Sequence, residues 1–143
     1  KYLIESLEPT SGIVEDIQYN GASIYQYLCT DAKQSYKNGF EIILNEPVYC
    51  NDARENLPFP QKFICINKER FNPINFGINY HDDGYDGCAC FYRRADGKWS
   101  FSLYNDNGKV DCSVIAKQFR GGGHKGASGF VVTDDGLFSV LFN

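Results

Sequence analysis

Between Phe119 and Phe130 the chain reads FRGGGHKGASGF, with five glycines among the nine residues Gly121–Gly129. Glycine has no side chain to bury and loses the most backbone freedom on folding, so such a run does not serve packing area. It gives access to positive φ and lets main-chain N–H groups approach another group closely. Three glycines in a row before His124-Lys125 predict a concave nest of amide donors, a shape that suits a phosphate or carboxylate. His124 adds a directional donor, and Arg120, Lys125 and Lys117 add local positive charge. Ala127, Ser128 and Gly129 are small enough for the following element to pack tightly. The plainer alternative is a glycine-rich turn that joins a helix to a strand.

The rest of the chain predicts what that segment is attached to. Ile13, Ile17, Ile24, Leu28 and Ala32 recur at steps that fit one helical face, with Gly21 among them. Ser11 is the expected N-cap, Glu15 and Asp16 follow it, and Asn38-Gly39 supplies the stop. Phe40–Leu44, Val48–Cys50 and Phe63–Ile66 are short strand-like runs, with Pro58 and Pro60 placed in the loop before the third. Asn67–Gly87 reads as a long irregular stretch rich in Asn, Pro, Gly and Asp. Cys88–Arg94 and Trp99–Tyr104 alternate as strands around Asp96-Gly97, a strong hairpin turn. In this hairpin Trp99, Phe101 and Leu103 face the core, which leaves Ser102 and Tyr104 nearer the glycine segment. Asp111 is positioned to cap a short helix over Cys112–Phe119. Phe130–Thr133 and Leu137–Phe142 read as further strands around an Asp135-Gly136 turn. The expected fold is α/β: a mixed sheet of about five strands flanked by helices and preceded by a linker helix.

Composition excludes several classes. With 43% hydrophobic residues, 22% charged residues and scattered Gly and Pro, the 143-residue chain is neither disordered nor fibrous. No apolar run approaches the length of a membrane span. A net charge of −4 argues against gripping long nucleic acid through bulk charge. The six cysteines include no C-x-x-C, and the two histidines lie at no ligand spacing from them, so reduced buried thiols are expected rather than zinc or disulfides. His81-Asp82-Asp83 is the nearest thing to a metal cluster and is expected to be a solvated acidic turn. The chain has no methionine, and Lys1–Thr10 contains no apolar leader. It is therefore expected to be a portion of a longer polypeptide.

The segment Gly121–Gly129 resembles the GGGH-x-x-A-(A/S)-G signature of the DHH-associated C-terminal domain of DHH-family phosphoesterases. That family includes RecJ-like exonucleases, oligoribonucleases, cyclic-dinucleotide phosphodiesterases and exopolyphosphatase-like proteins. Val110–Phe119 is similar to the family's V-D-V-S-x-I-A-K-x-F helix, Lys98–Tyr104 to its strand ending in Ser-Leu, and the early helix to its linker. The resemblance implies a domain division of 1–38 (linker segment and helix) and 39–143 (substrate-binding domain). It also implies a separate DHH catalytic domain holding two Mn²⁺ ions, which activate water and stabilise the phosphoryl transition state. This chain, inert alone, would then hold a short single-stranded oligonucleotide or phosphorylated nucleotide through Gly121, Gly122, Gly123 and His124, with Arg120, Lys125 and Tyr104 close by. Their work would be positioning and charge neutralisation. A cytoplasmic setting, no membrane partner and room for a homodimer complete the expectation.

Two residues depart from the family pattern. Tyr104 stands where many members have arginine, so it stacks or donates one hydrogen bond but makes no charged phosphate fork. Arg120 stands where a fourth glycine is common. Two other readings compete: a free-standing nucleotide-binding or regulatory module, and a tRNA-binding accessory module of an editing system, which the acidic charge disfavours.

Overall fold

The computed structural model describes residues 11–49 and 56–142. Helix α1 (Ser11–Lys37) leads into strands β1 (Phe40–Tyr49) and β2 (Asn56–Asn67), then a 3-10 turn at Pro73–Phe76. Strands β3 (Gly87–Arg93) and β4 (Trp99–Tyr104) follow, then helix α2 (Cys112–Gln118), strands β5 (Gly122–His124) and β6 (Ala127–Val132), and helix α3 (Asp134–Leu141). The six strands form one mixed sheet in the order β1-β2-β3-β4-β6-β5. Only the β2–β3 pair is parallel.

The sheet carries a core on each face because side chains alternate along every strand. On the first face Ile42, Leu44, Phe63, Cys65, Ala89, Phe91, Phe101, Leu103 and Phe130 pack with Ile115 and Ala116 of α2 and Val140 of α3. A ring ladder runs through it, with Phe91 on Phe101 at 5.3 Å, Phe101 on Phe130 at 5.0 Å and Phe130 on Phe119 at 4.4 Å between centroids. Such pairs add about 0.5–1.5 kcal/mol each beyond area burial. The ladder ends at Phe119, which fixes the chain just before the glycine segment.

On the second face Ile64, Ile66, Cys88 and Cys90 are covered by Ala32 and Tyr36 of α1 and by Phe71, Ile74 and Tyr80. The irregular 67–87 stretch is thus a lid over the β2–β3 half of the sheet. It is pinned by Phe71 N–H donating to Cys90 Sγ (3.2 Å) and Asp86 N–H donating to the Lys62 carbonyl (2.7 Å). The end of α1 is tied down by the Tyr36 hydroxyl donating to Asp83 (2.6 Å) and by the Lys68–Asp31 ion pair. Toward its start the helix is uncovered: Ile17 is 66% exposed and Ile24 61%.

Several expectations change. Ser11 is already helical where the described residues begin, so the expected cap falls at their edge. Pro58 and Pro60 lie inside β2, not in a loop. β2 meets β3 only from Phe63 onward, so those prolines have an unpaired flank where a missing N–H does no harm. Leu137–Leu141 is helical, with Phe142 as its C-cap: Asp134 and Asp135 supply the acidic first turn of α3, and Leu137 N–H bonds the Thr133 carbonyl. The sixth strand is β5, cut from the glycine segment itself. Cys50 and Lys1–Thr10 lie outside the described residues. Among the described residues no disulfide forms. No helix among them is long and apolar enough to cross a membrane.

Candidate functional site

The glycine segment is built as a hairpin. Asp111 caps α2 by accepting from Ser113 N–H (3.0 Å) and the Ser113 hydroxyl (2.6 Å), and these bonds hold its carboxyl below the usual range. The helix ends when Arg120 N–H bonds the Lys117 carbonyl and Gly121 N–H bonds the Ala116 carbonyl. β5 then pairs with β6, Gly122 opposite Gly129, Gly123 opposite Ser128 and His124 opposite Ala127. The turn is pinned from outside by Asn105 N–H on the Gly126 carbonyl (3.0 Å) and Cys112 N–H on the Lys125 carbonyl (2.9 Å). The expected concave nest is therefore replaced by an edge strand. Antiparallel pairing turns alternate groups toward β6, so three consecutive amides do not converge.

Each glycine has its own reason. A Cβ on Gly121 would stand 2.1 Å from the Gly129 carbonyl oxygen and 2.6 Å from Phe130 Cβ. Gly123 has φ +139° and no room beside Ser128 Cα, 2.6 Å from a would-be Cβ. Gly122 is different: nothing lies within 4 Å of a Cβ there. The fold requires the first and third glycines and leaves the second facing open space.

Register shows what that space is. On the second face, Tyr104, Ala127 and His124 form one row across β4, β6 and β5; Ser102, Gly129 and Gly122 form the next; Ser100 and Val131 the third. This half of the face lies beyond the cover given by α1 and the 67–87 lid. Its floor is made of hydroxyls and small residues, with His124 exposed at one end. A pocket of about 440 Å³ opens on it, lined by Ser100, Ser102, Arg120, Gly121, Gly129 and Val131 among others. Small-molecule pockets span roughly 300–1,000 Å³, so it has the size for a ligand. The alternating W-S-F-S-L-Y of β4 carried this signal: small hydroxyls where a covered strand would bury apolar groups.

The sequence-predicted residues are brought together in part. Gly122, His124 and Tyr104 share the open face, and Arg120 borders its pocket. Gly121 lines the same pocket, and neither it nor Gly123 has room for a side chain in the hairpin. Lys125 sits exposed in the turn, where its charge helps hold Asp111 ionised. Tyr104 is half-buried against the second core, and burial beside Cys90 and Cys88 raises its phenol pKa. Its hydroxyl is no free arm.

One cluster was not foreseen. His81 Nε2 lies 2.6 Å from Asp106 Oδ1, and its Nδ1 lies 2.9 Å from the Tyr85 carbonyl. The Tyr80 hydroxyl donates to the same carboxylate oxygen (3.0 Å). Partial burial works to raise the Asp106 carboxyl, but the bonds from His81 and Tyr80 outweigh it and hold it low. Asp83 is taken by Tyr36 and Asp82 by Asn79. The acidic turn is exposed at Asp82 and Asp83, as expected, while His81 ties the lid to the 105–110 loop that follows β4 and Asp83 ties it to α1. Among the described residues no three His, Cys, Asp or Glu side chains could hold a metal ion. A dimetal centre does not fit these residues.

The site and scaffold define a mixed-sheet α/β domain with one half-face left open and floored by glycine and serine. No protein-family model matches the chain, and no curated protein matches it. Among solved structures it is similar to the pGpG-specific phosphodiesterase PggH from Vibrio cholerae, with a TM-score of 0.54 and 12% identity. The match covers 95% of this chain and 42% of that one, so the chain spans less than half the length of that enzyme. At this identity the likeness is one of fold.

Proposed function

We propose that this chain is the substrate-holding part of a DHH-type phosphoesterase acting on short nucleotide phosphates. The observation that carries the reading is Gly122: within the GGGH run it alone has no steric reason to be glycine, and it lies on the open half-face in register with Ser102 and beside His124. A side chain there would occupy the floor on which a ligand lies. The likeness in fold to a pGpG-specific phosphodiesterase supports the same substrate chemistry. In this reading His124 donates to a phosphate oxygen, Arg120 and Lys125 neutralise charge, and Tyr104 lines the row beside His124. The hairpin, pinned at Gly121, Lys125 and Gly126, holds these donors in place before substrate arrives. Residues 1–38 serve as the linker and 39–143 as the binding domain. The bond-breaking step belongs to a catalytic domain with two Mn²⁺ ions in a cytoplasmic parent protein, which admits a homodimer.

Titration of the chain with pGpG, short oligonucleotides and phosphoadenosine phosphate tests this. Binding that weakens at least tenfold in Gly122→Val and His124→Ala is expected, with no hydrolysis in Mn²⁺. Unchanged affinities in both variants would remove the glycine hairpin as the ligand site. Manganese-dependent hydrolysis by the chain alone would overturn the division of labour. Binding without any catalytic partner domain in the parent protein would favour a free-standing nucleotide-binding module.

A further inference from the structure

A side-chain amide taken out of water costs free energy unless its donors and its carbonyl find partners. Asn105, the residue after β4, is 4% exposed, and with Gln61 it is one of two polar side chains buried among the described residues. Its Nδ2 donates to the Asp86 carbonyl (2.7 Å) and to Asn107 Oδ1 (3.0 Å), and its Oδ1 accepts from Gly108 N–H (2.8 Å). The first bond clamps the loop to the end of the lid, next to β3. The other two fold residues 105–108 into a tight turn, with Gly108 at φ +73°. An apolar residue of the same size would fill the space but leave the loop without a set shape.

That loop grips the glycine hairpin from both of its ends. Asn105 N–H bonds the Gly126 carbonyl (3.0 Å), and Cys112 N–H bonds the Lys125 carbonyl (2.9 Å). The fit is close, since a Cβ on Gly126 would stand 3.0 Å from the Asn105 carbonyl oxygen. His124 directly precedes this turn, on an edge strand of three residues that pairs with β6 alone. So short an edge strand has few bonds of its own to resist opening, and the 105–112 bracket supplies its second support. Between its ends the loop also carries Asp106, which the lid reaches through His81 Nε2 (2.6 Å) and the Tyr80 hydroxyl (3.0 Å).

We propose that Asn105 is a positioning residue for this site: its side chain fixes the 105–112 loop to the Asp86 carbonyl, and the loop holds the Lys125-Gly126 turn so that His124 meets the ligand in one place. Asn105 acts through His124 and touches no ligand itself. Misplacing an oriented group by about 1 Å costs up to roughly 10²-fold, so the clamp sets affinity and not only stability. The proposal rests on the nucleotide-phosphate reading of His124.

The test is a double-mutant cycle on the 143-residue chain, titrated calorimetrically with pGpG. Asn105→Ala should bind at least tenfold more weakly than wild type while still folded. In a His124→Ala background the same change should cost less than about twofold, because the group it positions is gone. Asn105→Asp keeps the acceptor for Gly108 but cannot donate to Asp86 when ionised; it should weaken binding in the same non-additive way, and it carries the cycle if the alanine variant does not fold. Ile42→Val, in the core at the far side of the sheet, should lower the thermal midpoint and leave affinity within about twofold. Unchanged affinity in folded Asn105 variants, losses that add to that of His124→Ala, or an equal loss in Ile42→Val overturns the positioning role and leaves the glycine-hairpin site standing. Failure of wild type to bind pGpG overturns the nucleotide reading and the proposal with it.

Discussion

Replacing each residue of the glycine triplet by alanine separates the glycine that faces open space from the two whose Cβ the hairpin has no room for. At Gly121 the new Cβ would lie 2.1 Å from a main-chain oxygen and 2.6 Å from Phe130 Cβ, so β6 must move by more than an ångström. Overpacking costs about 1–3 kcal/mol and sometimes more. Loosening the Gly121 N–H bond to Ala116 adds about 1 kcal/mol. A loss of about 3–4 kcal/mol is expected. At Gly123 a clash at 2.6 Å joins a φ of +139°, and strained backbone alone costs roughly 1–3 kcal/mol. At Gly122 the Cβ meets nothing within 4 Å. Alanine there reduces the freedom of the unfolded chain and stabilises by about 0.4–1 kcal/mol. Urea unfolding followed through the single tryptophan, Trp99, reads all three. With m near 1–3 kcal/mol/M, the Gly121 and Gly122 variants should differ in midpoint by about 1 M or more. Destabilisation of Gly122→Ala to the level of Gly121→Ala would falsify the assignment of open space at Gly122. The same result would remove the main support for a ligand floor.

Other measurements check the rest of the structure. Asp111→Ala removes the cap of α2 and should cost about 0.5–2 kcal/mol in urea unfolding. Asp106 and Asp111 are both held low, so their stabilisation is complete above the unfolded carboxylate value of about 3.9 and fades as pH falls through their lower folded values. Unfolding midpoints should therefore drop below about pH 4, less steeply in Asp106→Asn. Burial raises the thiols of Cys65, Cys88 and Cys90, so native labelling with iodoacetamide near pH 8 should modify Cys29 and spare those three until the protein unfolds. Ile17→Glu with Ile24→Glu should shift stability by less than about 0.5 kcal/mol per site, because both side chains lie in solvent.

The β3–β4 hairpin was legible because its determinants are local: alternation over six or seven residues and an Asp-Gly turn, realised with Gly97 at φ +82°. The cap at Asp111 was legible for the same reason. Helix α3 was misread because Leu137–Phe142 is a short apolar run, which a strand and a buried helix share. The arbitrating signal was present in the acidic pair at Asp134-Asp135. The 67–87 segment shows no periodicity, and its order comes from partners far along the chain: Lys62, Cys90 and Asn105. The His81–Asp106 pair joins residues 25 positions apart, beyond any spacing rule.

The sequence by itself marked Phe119–Phe130 as exceptional, since five glycines in nine residues have no packing purpose. It also placed a capped helix before that segment and a strand after it. Only the tertiary structure divided the triplet into two glycines that the hairpin cannot replace and one that faces open space. It alone brought Ser100, Ser102 and Arg120 around one pocket. The physical reason is that exposure on a sheet depends on strand order and on which helix covers which half. Both are set by long-range pairing, and no local window of sequence contains them.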